Sequence, residues 1–343
     1  MKPFIKFNII IAVLSMLLLL SNCSKDLFYI PTSIQEEIDK MVESEFDGTI
    51  VYVNQSGTTT LYSAGWNNRE NQIPAEPQDL FKIASISKLY IAAATSKMID
   101  DQSLSLDNTL AELLPDLAEG IEYSDRITLR MLLRHSSGIP DYTYHLDYPW
   151  DNPFKELSDT YTLVIDQPAD FKPDQKYKYS NTNYLLIGEI LDRTLGYSHH
   201  QYVKNEILNP LELNNTYSLL SEVDIEDVMS GYFVGYEPDI KNNDFIQPGG
   251  SMVATAEDVG IFLRALIDGT LLNSEEQAIY SSNYKYEHTG DLPGYRSIAR
   301  YHVDIDAIVI QFVNTSAENF KYWPKFRRSY NRIVKILEKE HSN

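Results

Sequence analysis

Apolar residues recur along this chain at two different spacings, and the order of the two predicts the architecture. Behind Pro31-Thr32-Ser33, Ile34, Ile38, Met41 and Val42 stand at helical spacing, with Ser33 and Glu36 placed as a capping box. Residues 48–54 are a run of strand formers, Ser56-Gly57 turns the chain, and residues 58–64 return as a second strand. Residues 66–78 are polar and proline-containing and read as loop. At the far end, residues 297–303 and 307–313 alternate like two antiparallel strands joined at Asp304-Ile305-Asp306. A last helix over residues 325–338 would bury Ile333, Ile336 and Leu337.

The middle of the chain is helical. A helix follows Ser85, with Leu89, Ala92, Ala93 and Met98 along one side. Others are expected over residues 127–133, after the polar cluster at residues 177–183, around residues 202–207, and over residues 259–267, capped by Thr255 and stopped at Gly269. Residues 141–175 form a long loop with four prolines, which should rim a pocket. Tyr286-Glu287-His288-Thr289-Gly290 leads into another loop.

Strands at both ends and helices between them predict an α+β fold. An antiparallel sheet is built from residues 32–87 and 247–343 and flanked by helices from both chain ends. Residues 88–246 make a mostly helical insertion, and the cleft between the two parts is the natural site. No internal repeat or low-complexity segment interrupts this plan.

The first residues read differently. Lys2 and Lys6 precede an almost unbroken apolar run over residues 9–20, too short to span a bilayer comfortably. Leu20-Ser21-Asn22-Cys23 resembles a bacterial lipobox, in which the cysteine is lipidated and becomes the new N-terminus; Asn22 departs from the small residue usual there. A plain secretory signal or an uncleaved anchor is the alternative. Cys23 is the only cysteine, which excludes an intramolecular disulfide and thiol catalysis elsewhere. The expectation is a lipoprotein signal over residues 1–23 and a cell-envelope protein held to a membrane by its lipid, facing periplasm or exterior. The whole chain is 43% hydrophobic and 23% charged, ordinary for a globular protein. The formal net charge of −20 argues against nucleic acid as a partner and against a polybasic contact with anionic lipid. The sequence leaves the oligomeric state open.

One stretch carries the chemistry. Ser85 sits where an apolar segment meets a helix, and Lys88 three residues later shares its face. A serine hydroxyl needs a neighbouring base to become a nucleophile, and a lysine amine can serve once burial lowers its pKa. The helix N-terminus adds positive potential and free N–H groups. Ser-x-x-Lys alone is weak: Ser282-Asn283-Tyr284-Lys285 matches it too and reads as a loop coincidence. His135, in the turn after the helix over residues 127–133, reads as structural. His199-His200 suggests a metal hydrolase only poorly, for want of a His-Glu-x-x-His helix or a carboxylate in register; these histidines read as solvated helix-start residues. No metal or other cofactor is implied.

Three clusters in order change the weight of Ser85. Ser85-x-x-Lys88, Tyr179-Ser180-Asn181 and His288-Thr289-Gly290 resemble the motifs of the serine β-lactamase and penicillin-binding superfamily, in its class C β-lactamase, DD-peptidase and esterase branch. The flanks match as well, notably Phe81 to Lys88, Leu132 to Pro140, Tyr184 and the segment over residues 249–263. Tyr52-Val53-Asn54 is a decoy inside a strand. The resemblance implies the β-lactamase/transpeptidase-like fold and a serine hydrolase that forms an acyl-enzyme. Its substrates would be D-amino-acid peptides of cell-wall type, small esters or β-lactams. It implies that Ser85 is acylated, that Lys88 activates it, and that Tyr179 shuttles protons, either Lys88 or Tyr179 being the kinetic base. Asn181 would orient Lys88 and the substrate amide, and His288 and Thr289 would line a sheet edge. Gly290 would let the substrate backbone approach, and the N–H groups of Ser85 and Asp291 would form the oxyanion hole. His288 stands where the β-lactamase form has lysine, which favours peptidase or esterase. As imidazolium it would anchor a carboxylate only below neutral pH. Arg296 would supply the missing cation or be a surface residue. Asp174 stands where the family often has glycine. The other class of reading is a non-catalytic binding protein on the same fold.

Overall fold

A computed structural model describes residues 31–237 and 239–342. The expected signal segment and Cys23 therefore lie outside the described residues. Helix α1 (Ile34–Ser44) starts at Ser33, whose hydroxyl accepts from Glu36 N–H, while the Glu36 carboxylate takes the N–H and hydroxyl of Thr32. Three strands follow: β1 (Gly48–Gln55), β2 (Thr58–Asn68) and the short β3 (Ile73–Pro74). The expected loop over residues 66–78 is thus partly sheet. The pairing of Trp66 with Pro74 and Asn68 with Ile73 carries the chain back along the edge.

The helical part contains α2 (Ser87–Asp100), α3 (Leu129–Leu133) and α4 (Asn181–Leu195). It is followed by α5 (Ala256–Asp268) and α6 (Ser274–Asn283). The chain then returns to the sheet as β4 (Glu287–Leu292), β5 (Tyr295–His302) and β6 (Ala307–Val313), and ends in α7 (Trp323–His341). The predicted loop at His288 is in fact strand β4. Its polar, glycine-containing sequence hides a strand because it is an edge, paired only with β5.

The sheet is antiparallel, in the order β3-β2-β1-β6-β5-β4, so the two chain ends meet where β1 pairs with β6. These two central strands are buried on both faces, which is why they read as continuous apolar runs. Alternation still sorts their side chains. Ile50, Tyr52, Ile308, Ile310 and Phe312 face the core shared with α2, α4 and α5. Val51, Val53, Val309 and Val313 face a second core, closed by Ile34, Ile38 and Met41 of α1 and by Phe326, Ile333 and Leu337 of α7.

Helix α2 differs from its expected single stripe. It is buried nearly all round, Lys97 and the last two residues excepted, and Thr95 and Ser96 satisfy their hydroxyls on the carbonyls of Ile91 (2.7 Å) and Ala92 (2.9 Å). Tyr90 stacks on Phe262 of α5 with ring centroids 3.7 Å apart. The helix that follows Ser85 is therefore the axis of the main core. His199 also departs from its reading: it starts a short helix, but it is buried, and its Nδ1 lies 2.8 Å from Asp192.

Helix α5 can lie against the sheet because Gly260 has no side chain. A Cβ there would sit 2.1 Å from the Tyr52 ring, which is itself 2% exposed. Gly260→Ala is expected to destabilise the protein by about 1–3 kcal/mol through overpacking. Urea unfolding would show the midpoint falling at unchanged slope, and an unchanged midpoint would refute this account of the α5–sheet contact.

Candidate active site

The turn that carries Ser85 is held from three sides. Phe81–Lys82 pairs with Val253–Ala254 as a short antiparallel ladder. The chain then passes through a single turn, Ala84–Ile86, into α2. Ala84 adopts a φ of 51°, a left-handed conformation that costs an alanine energy and persists only where its surroundings impose it. Ile83 N–H donates to Met252 O (3.1 Å), Ser297 Oγ donates to Ile83 O (3.1 Å), and Ser87 Oγ donates to Ala84 O (2.6 Å). From Phe81 to Tyr90 every residue is buried except Ser85, which is half-buried.

Lys88 lies at the bottom of the site, 1% exposed. Its Nζ is 3.0 Å from Ser85 Oγ, 2.9 Å from Asn181 Oδ1 and 2.7 Å from Gly249 O. The Asn181 amide is oriented by its Nδ2, which donates to Asp141 Oδ2 at 3.0 Å, so its oxygen faces the lysine. Burial lowers the Lys88 pKa to about 7, against a smaller upward pull from Asp141. The neutral amine has two N–H donors and one lone pair. Asn181 Oδ1 and Gly249 O can only accept. The lone pair is left for the proton of Ser85, the one partner able to donate.

Tyr179 closes the opposite side. Its Oη lies 2.9 Å from Ser85 Oγ and 3.4 Å from Asn181 Oδ1. Burial raises its pKa well above the ordinary phenol value, so the phenol stays protonated. Its ring packs on His135 at 4.5 Å between centroids. His135 is structural in the way its sequence position suggested. Its Nδ1 accepts from Ser180 N–H at 3.2 Å, and burial followed by the nearby Lys88 pushes its pKa down to about 3. It is a neutral platform for Tyr179. The surrounding loop is tied to the start of α4: Thr182 Oγ1 donates to Pro140 O (2.6 Å) and Ser137 Oγ to Asn183 Oδ1 (2.6 Å). Asp174 takes the left-handed φ of 63° that glycine would favour, and its N–H donates to Ser136 O at 2.8 Å.

Strand β4 supplies the remaining wall. Gly290 is needed for a different neighbour than expected: a Cβ there would meet Ile83 O at 2.4 Å and Ala84 Cβ at 2.9 Å. The glycine lets the strand press against the turn that carries Ser85. His288 is driven toward its neutral form by its surroundings. Its ring lies parallel to Tyr284 at 6.0 Å, its Nδ1 donates to Thr289 O at 2.6 Å, and burial followed by Lys88 lowers its pKa to about 3. Arg296 is neither a surface residue nor a free cation. It is 1% exposed, with Nε donating to Asp291 Oδ1 (3.0 Å) and Nη2 to Ala317 O (3.1 Å). The opposite register of β4 and β5 places Asp291 across from Arg296, so the two charges cancel at the base of the wall. Trp323 Nε1 takes the other Asp291 oxygen at 3.2 Å.

Ser85, Tyr179, Asn181, His288, Thr289 and Asp291 all line one cavity of about 620 Å³. Its far wall is the loop expected to rim a pocket, with Tyr142, Tyr148 and Trp150. Two residues of the site had no motif to mark them. Asp141 orients Asn181, and Arg327 of α7 reaches the rim from the end of the chain. Arg327 and Lys285 also line an adjoining cavity with Arg134, Arg300 and Tyr179. Among the described residues neither Arg327 nor Lys285 has an ion pair. The described residues hold no cluster of side chains suited to a metal ion, and the hydroxyl of Ser282, at the end of α6, donates to Ile279 O and accepts from Asn283 Nδ2.

The comparisons with known proteins agree with this geometry. The chain is 26% identical over 207 residues to Penicillin-binding protein 4* of Bacillus subtilis, covering 60% of this chain and 45% of that protein. It is 24% identical over 236 residues to Protein flp of Staphylococcus aureus, covering 66% and 47%. The chain thus spans about half the length of the curated relatives it matches. Among solved structures, a D-amino acid amidase from Ochrobactrum anthropi superposes with a TM-score of 0.80 at 22% identity, over 90% of this chain and 98% of that one. The hydrolase EstCE1 superposes with a TM-score of 0.71 at 18% identity, over 89% and 97%. These likenesses show the fold, and the sequence-family profile described as Beta-lactamase matches residues 34–331. On that match, and with the fold it requires, the chain belongs to the beta-lactamase family.

Proposed function

We propose that this protein is a serine hydrolase that forms an acyl-enzyme on Ser85, with amides or peptides of D-amino acids as its first substrate class. The observation that carries the reading is the lone pair of Lys88, left by two acceptor-only partners to the Ser85 proton. Lys88 takes that proton as Oγ attacks the carbonyl. The N–H groups of Ser85 and Asp291 receive the oxyanion, a contribution of roughly 3–4 kcal/mol per donor in comparable acyl transfers. Tyr179, kept protonated by burial, gives its proton to the leaving nitrogen, and the proton held by Lys88 replaces it. A water then enters on the vacated side and the same pair serves the deacylation. Between the two candidates for the kinetic base, the direction of the pKa shifts favours Lys88, because a phenol held protonated is a donor.

The substrate class rests on supporting likeness and on charge. The fold neighbours include a D-amino acid amidase and a D-stereospecific amidohydrolase. Arg327 and Lys285, rather than His288 or Arg296, supply positive charge on the Tyr179 side, where a leaving group bearing a carboxylate would depart. Small esters and β-lactams would enter the same acylation step. A binding protein on this fold would have no use for a dry amine aimed at a serine, so that reading stands second. At the other end of the chain, we propose that Cys23 carries a lipid that holds the enzyme at the cell envelope.

Incubation with a reporter penicillin and with a D-amino-acid ester, followed by intact mass, is expected to show a transient adduct on the wild type and none on Ser85→Ala. Equal turnover by the alanine variant would exclude Ser85. The pH dependence has a definite sign. Raising pH deprotonates Lys88, so the acylation rate should climb about tenfold per pH unit below the lysine pKa of about 7 and level off above it. A rate that falls through that range would remove Lys88 as base. The Michaelis constant for acidic substrates should show no step from His288 between about pH 6 and 8, since that ring is already neutral there. Cys23→Ser should shift the protein from the membrane to the soluble fraction, and continued sedimentation with membranes would refute the lipid anchor.

A further inference from the structure

Asp141 opens the rim loop and lines the Ser85 cavity, yet it is 6% exposed. Its two oxygens face two different partners. Oδ2 accepts from Asn181 Nδ2 at 3.0 Å, and Oδ1 accepts from the N–H and the hydroxyl of Thr143 at 3.0 and 2.9 Å. All three neighbours donate, so the place calls for a side chain that accepts on both sides, as a carboxylate does. An amide would turn a donor toward one of them. No cation neutralises this carboxylate: among the described residues Asp141 forms no ion pair. A buried charge in that condition is costly unless the site comes to hold an opposite one.

The reaction supplies the opposite charge. As Ser85 Oγ bonds to the substrate carbonyl carbon, its proton passes to the Lys88 lone pair and the carbonyl π electrons become the oxyanion. Lys88 is then an ammonium. It stays one until Tyr179 gives its own proton to the leaving nitrogen, the C–N bond breaks, and the lysine proton replaces the one Tyr179 gave. For that interval a positive charge stands in a dry pocket. The titratable groups around it are Tyr179 and Tyr184, whose rings lie 5.3 and 5.5 Å from Nζ, and the rings of His135 and His288. Burial drives all four toward their neutral forms. Burial also lowers the Lys88 pKa, and the charge of Asp141 pulls the other way. The Asn181 amide joins the two groups, with Nδ2 on the carboxylate and Oδ1 2.9 Å from Nζ. An amide polarised at its N–H end presents a more negative oxygen at the other.

Resting on the hydrolase reading above, we propose that Asp141 is a positioning residue of the reaction: acting through Asn181, it is the counter-charge of Lys88 while that lysine holds the Ser85 proton. The same carboxylate caps the turn Tyr142–Tyr144, whose residues line the cavity. One side chain thus fixes both a wall that a substrate would touch and the base that would serve it.

The test removes the charge in two ways. Asp141→Asn keeps the shape. Asp141→Ser keeps a side-chain oxygen able to cap the Thr143 N–H, and so holds the turn even where an amide disturbs it. Lysine labelled with carbon-13 at Cε reports the titration of Lys88, its signal assigned by its absence from Lys88→Arg. In both variants the Lys88 midpoint should lie below the wild-type midpoint, because the charge that favours the ammonium is gone. Turnover of D-alanine p-nitroanilide on the pH plateau should fall about tenfold or more, and the rising limb of the pH–rate profile should move to lower pH. A midpoint and a profile that stay in place, whatever the rate, reduce Asp141 to a cap of the turn; they overturn the counter-charge and leave the hydrolase standing. A lowered midpoint with undiminished turnover overturns it as well. A lowered midpoint in a protein whose wild type hydrolyses nothing overturns the hydrolase reading, and the catalytic role of Asp141 with it, and leaves only an electrostatic pair.

Discussion

The chemistry proposed for this protein depends on keeping one lysine amine out of water. An ammonium taken into a protein interior loses solvation worth several kcal/mol, and the loss is tolerable only if its donors are met by well-placed acceptors. Lys88 has those acceptors, but they are mostly neutral: an amide oxygen, a backbone carbonyl and a hydroxyl. Had Asp141 contacted the amine directly, the ammonium would have been stabilised and the base lost. Instead its carboxylate reaches Lys88 through the Asn181 amide, which transmits orientation and only part of the charge. The same enclosure pushes the neighbouring titratable groups to their neutral forms. His135 and His288 become uncharged rings, and Tyr179 keeps its proton.

The rest of the fold follows from building that enclosure. Helix α2 has to be buried nearly all round for Lys88 to be dry, so both the sheet and the helical part must pack on it. The central strands then need cover on their other face, which α1 and α7 provide from opposite ends of the chain. Close approach is bought with glycine at two places: Gly260 seats α5 on Tyr52, and Gly290 seats β4 on the nucleophile turn. Along the stretch from Phe81 to Tyr90, only Ser85 is left open to the cleft.

Much of this was legible from local sequence. The strands at both ends, the helices between them, the cap at Thr255 with the stop at Gly269, and the long rim loop all follow from periodicity and turn chemistry over short windows. Periodicity missed strand β4 because an edge strand needs no alternating apolar face; only the family resemblance placed His288 and Thr289 at a sheet edge. His199 was misplaced because its partner Asp192 comes from the preceding helix and no spacing rule announces it.

The residues of the candidate site were named by three short motifs, and their identity is a property of the sequence alone: a serine with a lysine one helical turn on, a tyrosine, an asparagine and a histidine in a fixed order. Their states were decided by tertiary structure. Whether Lys88 is a base, whether His288 carries charge and whether Arg296 is free depend on desolvation and on partners the fold brings in, such as Asp291 for Arg296 and Gly249, 161 residues away, for Lys88. Local sequence can specify which groups are present, because helix and strand spacing are short-range; the field each group feels is a sum over everything packed around it, and only the folded chain supplies that sum.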